Sequence, residues 1–69
     1  MINQELVQIV SDLRQKQIRA RNAGADSERY VSEVAGLMRM AWIAGLSEEA
    51  QWLSGQWFEM TELNDGVAA

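Results

Sequence analysis

Apolar residues recur along this chain at intervals of three and four, in three blocks separated by glycine-containing breaks. In the first block Ile2, Leu6, Ile9, Leu13 and Ala20 share one face at about 100° per residue, with Val10 and Gln17 on its edge. The second block, residues 30–46, is broader. Tyr30, Val31, Val34, Ala35, Leu37, Met38, Ala41 and Trp42 fall within half of a helical cylinder. A surface helix needs a stripe only a little over 100° wide, so this helix asks for two neighbours and is expected to be central. The third block carries Leu46, Ala50, Leu53, Trp57 and Met60 on its main face.

The breaks have the chemistry of helix ends. Asn3 suits an N-cap, with Glu5 at the positive end of the helix dipole and Arg19 and Arg21 at the negative end. Gly24 can take the left-handed conformation that closes a helix, and Asp26 or Ser27 can cap the next. Gly45 closes the second helix, Ser47 is the expected N-cap of the third, with Glu48 and Glu49 in its first turn, and Asn64-Asp65-Gly66 ends it. These signals predict helices over about residues 3–23, 27–44 and 48–63 and a tail over 64–69 whose last residues, Val67-Ala68-Ala69, fray. With no proline, no alternating strand pattern and no repeat, the expected fold is one all-α domain over 1–69. Its expected architecture is an antiparallel helical hairpin with a first helix packed across it.

Several large apolar residues fall outside these stripes. Trp52 and Leu63 sit nearly opposite Phe58 on the third helix, Met40 and Ile43 lie on the polar side of the second, and Val7 and Ile18 on the back of the first. Trp52 and Phe58 either fold over the rim of a small core or build a contact surface. Aromatics and Met are enriched where protein surfaces meet, and the expectation is an interface of Trp52, Phe58, Met40 and Ile43 with Glu48, Glu49 and Glu59 as a polar rim. On that division Trp52→Ala should weaken binding with little loss of helix, whereas Leu37→Ala should unfold the domain.

Composition narrows the chemistry. A 69-residue chain supports one small core, and domains of this size usually add disulfides, a metal or a second subunit. Without Cys or His, disulfides, zinc sites and Cys or His nucleophiles are excluded, which leaves association and an expected homodimer. The longest uncharged apolar stretch, between Arg39 and Glu48, is far below the roughly 18–20 residues of a membrane span, and the start lacks a basic region followed by an apolar run. A cytoplasmic protein that does not use a membrane is expected. Formal net charge is −4, unevenly spread. All six basic residues precede Met40, where five acids leave a net +1, and the remaining five acids all follow it. Such asymmetry suits self-association or a basic partner.

Carboxylates are the only acid–base candidates. Glu59 with Glu62, and Glu48 with Glu49, lack the further ligands or cleft that a cation site or catalysis needs, so no enzyme, cofactor, metal or small-molecule substrate is expected. The basic run Arg14, Lys16, Arg19 and Arg21 is the candidate nucleic-acid contact. It does not form one stripe: Arg14 and Arg21 fall together, and Lys16 and Arg19 lie across the apolar face, as in a helix whose long side chains flank a buried seam.

The stretch Ala41-Trp-Ile-Ala-Gly-Leu-Ser47 resembles the turn of DNA-binding helix–turn–helix proteins, with Ala41 and Gly45 four apart and an apolar Leu46 following. Gln51 stands where that family buries Ile or Val, and Ser47, Glu48 and Glu49 would open an acidic recognition helix that phosphates repel. A helical-hairpin turn explains the same residues. In size, Met- and Trp-rich helical pattern and acidic end, the chain as a whole is similar to the small helical accessory proteins of lambda-like temperate phages. That resemblance implies a non-enzymatic protein acting on a host or phage protein. The expected function is thus a protein–protein interaction or regulatory module. The rival is a nucleic-acid-associated regulator, acting through the basic first helix or through acidic mimicry of DNA.

Overall fold

The structure, a computed structural model, describes residues 2–66. It is all-α, with three helices: α1 (Gln4–Asn22), α2 (Glu28–Ile43) and α3 (Ser47–Asn64). The expected fraying of Val67-Ala68-Ala69 lies outside the described residues.

The ends of the helices follow their cap chemistry. Asn3 Oδ1 accepts from Glu5 N–H at 2.7 Å, and Asp26 Oδ1 accepts from Glu28 N–H at 3.0 Å. Asp26 thus caps α2, while Ser27 turns its hydroxyl elsewhere. At the α2 C-terminus the Leu46 N–H reaches Ala41 O at 2.9 Å and the Gly45 N–H reaches Trp42 O at 3.2 Å, a Schellman pairing. That pairing requires Gly45 at φ +76°. An alanine there keeps space around its Cβ but must hold the left-handed backbone. Gly45→Ala should therefore lower stability by about 1–2 kcal/mol, read as a fall in thermal midpoint.

One boundary differs from expectation. Ser47 is already helical, and Leu46 occupies the N-cap position of α3 without a side-chain hydrogen bond. The connection is so short that Leu46 both completes the α2 closure and accepts, through its carbonyl, the Ala50 N–H at 2.8 Å. No separate capping residue fits between them.

The core is built from Val10 and Leu13 of α1, Val31, Val34 and Ala41 of α2, and Ala50, Leu53 and Met60 of α3. Contact between α2 and α3 is the most extensive, and α2 touches both other helices. Around the core Leu6, Tyr30, Leu37, Met38, Trp52 and Trp57 are partly buried. The half-cylinder expected on α2 is therefore covered only in its middle, and Trp42, expected inside, is half-exposed at the helix end.

The face of α1 is also turned from the expected one. Val10 and Gln17, expected at its edge, are buried, whereas Ile9, expected at its centre, is half-exposed. The physical reason is polar. Arg14 Nη1 donates to Gln56 Oε1 (2.8 Å) and Glu59 Oε1 (3.0 Å), and about one turn later Gln17 reaches the end of α3. These bonds roll α1 toward α3 and set the two helices advancing together.

Gln17 is fully buried. Its Nε2 donates to Met60 O at 2.7 Å and to Asn64 Oδ1 at 2.9 Å, and Asn64 Oδ1 also accepts from Ser27 Oγ at 2.9 Å. One amide thereby joins α1, the start of α2 and the end of α3. Two acceptors face Nε2, which fixes the orientation of the amide and leaves Oε1 buried without a hydrogen-bond partner.

Candidate functional site

Opposite the Gln17 node, where α1 begins, α2 ends and α3 begins, the three helices splay around an open groove of ≈ 820 Å³. Its floor includes Leu37, Ala41 and Leu53, and its walls include Ile2, Leu6, Ile9, Met40 and Leu46. The splay follows from the sequence. Ala41 and Ala44 are too small to fill the space between α1 and the start of α3, and the turn of α1 toward α3 withdraws Ile9 from the core.

Among the described residues, the charged ones lining the groove are Glu5 and Glu49, each in the first turn of its helix, and no Lys or Arg lines it. Carboxylates at those positions also complement the partial positive charge of the helix N-termini. The site is a hydrophobic trough with two carboxylates on its rim. Among the described residues, no group of three or more Asp or Glu is placed to hold a metal ion. No described helix is long and apolar enough to cross a membrane.

The residues expected to form one contact surface are divided by the structure. Met40, 67% exposed, stands on the groove wall, and Glu49 lies on its rim. Ile43, 80% exposed, projects from the same end of α2. Glu48 is exposed on the first turn of α3. Phe58 is exposed farther along α3 and does not line the groove.

Trp52, open to either a core rim or a contact surface from its spacing, is partly buried against the core. It lies on the flank of α3 that includes Gln56 and Glu59, the flank α1 approaches, so the buried arc of α3 is wider than its main stripe. Leu63 is partly buried on the same flank. Glu59, expected on an intermolecular rim, pairs within the chain with Arg14.

That pairing also changes the basic run. Arg14 is engaged by Glu59 and Gln56, Arg19 donates to Gln15 Oε1 at 3.3 Å, and Lys16 and Arg21 are exposed. Arg14, the member nearest α3, thus shares its guanidinium with a carboxylate of that helix.

Sequence reasoning missed Ile2, Leu6, Ile9 and Leu46 as groove residues because their spacing marks them as core. The signal that could have found them is the pair Ala41 and Ala44: small residues on the face of a central helix, opposite large ones on its neighbours, leave a gap. No family model, curated protein or solved structure matches this chain.

Proposed function

We propose that this protein is a small non-enzymatic protein–protein interaction or regulatory module, built as an antiparallel α2–α3 hairpin with α1 packed across it, and that its contact surface is the open apolar end. The pairing of Ser27 with Asn64, joining the start of α2 to the end of α3, supports the hairpin. The observation that carries the function is the convergence of Met40, Leu46 and Ile9, each at least 48% exposed, on one groove, with Ile43 beside it. Large apolar side chains left in water at one place mark a surface meant to be covered. The setting of a phage accessory protein acting on a host or phage protein belongs to the same proposal and rests on size and composition.

Self-association fits this reading only away from the groove, through the outward Phe58. Two grooves placed face to face would set Glu5 and Glu49 of one copy against those of the other.

The test is the double variant Met40→Ser, Ile43→Ser. Both side chains are mostly in water, so helix content by circular dichroism should stay at the wild-type level. A protein captured by the wild-type chain should be lost by the variant; unchanged capture by a well-folded variant would sink the proposal.

A further inference from the structure

We infer that the groove receives a helical segment of a partner protein whose apolar stripe is flanked by Lys or Arg. This rests on the reading of the chain as an interaction module and names the chemistry of its partner. Two features of the groove carry it. The first is shape. Its lining runs from Ile2, just before α1, to Ile9 on that helix, and from Leu37 on the floor to Ala44, just past the end of α2, each stretch roughly 10 Å long. A trough of that length takes apolar anchors at i, i+3 or i+4, and i+7 of an incoming helix.

The second feature is charge. Glu5 and Glu49, contributed by α1 and α3, are the charged residues of the lining among the described residues, and no basic side chain among these offsets them there. An incoming helix with Lys or Arg beside its apolar stripe meets a carboxylate from each of these helices, and its basic stems add apolar cover. A helix flanked by acids meets repulsion from both. A second copy of this chain is disfavoured by the same rim.

The experiment uses the full chain and two labelled helix-forming peptides of about 18 residues, long enough to hold a helix. Both carry Leu at i, i+3, i+4 and i+7; one has Lys at the flanking positions and the other Glu. Fluorescence anisotropy should show the Lys peptide binding at least about tenfold more tightly than the Glu peptide, a preference that shrinks with added salt. Glu5→Lys with Glu49→Lys should reverse the preference, and Met40→Glu, at an exposed position, should weaken binding of the Lys peptide. Equal binding of the two peptides overturns the charge assignment while leaving an apolar interaction module standing. Binding of neither peptide overturns the groove as a helix receptor. Should the charge-reversed variant fail to fold, Met40→Glu and the salt series decide, and binding unchanged in both overturns the inference. A homodimer in sedimentation equilibrium that Met40→Glu dissolves would overturn it too, by showing the groove filled by a second copy.

Discussion

Leu53→Ala should leave the chain largely unfolded. Leu53 is almost completely buried in the middle of α3 and packs in the core formed with α1 and α2. Truncating a buried leucine costs about 2–5 kcal/mol, and a domain of this length has about 3–10 kcal/mol in total. Circular dichroism and urea titration of the variant should show loss of helix or a much lower midpoint. Leu37, which the sequence pattern marks as the more critical leucine, is only partly buried and borders the groove. Leu37→Ala should therefore cost less than Leu53→Ala, and the reverse order would mean that the groove is closed in solution.

Gln17→Glu should be nearly as damaging, for an electrostatic reason. The substitution replaces an amide that donates to Met60 O and Asn64 Oδ1 with a carboxylate whose oxygens would face both acceptors, at a fully buried site. An unpaired buried charge of this kind costs about 3–5 kcal/mol. Burial disfavours the ionised form, so the pKa of the introduced carboxyl group rises above its unfolded value in the folded state. The native state then holds more protons, and stability falls as pH rises from the unfolded pKa through the folded one. The variant should thus recover stability, relative to wild type, as pH is lowered into the acid range. Gln17→Met is the control: it keeps the length and removes the orphaned Oε1 without adding a charge, so it should cost less than Gln17→Glu, about 1–3 kcal/mol for the donor lost to Met60 O and Asn64 Oδ1, and should show no recovery at low pH. A Gln17→Glu variant as stable as wild type at neutral pH would show that water reaches the node.

The helices and their ends are legible in the sequence because glycine and cap chemistry act over a few residues. Asn3, Asp26, Gly24 and Gly45 do in the structure what their local chemistry predicts. The rotation of α1 is not legible, because it depends on Arg14 and Gln17 finding partners about 42–47 residues away. A face drawn from hydrophobicity alone centres on Ile9 and leaves Gln17 at the edge, whereas hydrogen bonding to Met60 and Asn64 makes Gln17 a core residue. Trp52 escapes the pattern for a related reason. A stripe assumes one neighbour, and α3 has α1 on its flank as well as α2. Met40 and Ile43 separate from the core in sequence and structure alike because they lie far round α2 from Val34, where no neighbour reaches.

The brevity of the Gly45-Leu46 connection has a kinetic side. Closing so short a loop costs little entropy, and α2 with α3 makes the largest share of the packing, so the best-packed pair is also the closest in sequence. Helical domains dominated by local contacts fold in about microseconds to milliseconds. Mutations in the α2–α3 seam, such as Leu53→Ala, should slow folding. Changes on α1, which docks by bridging longer stretches of chain, should act mainly by speeding unfolding.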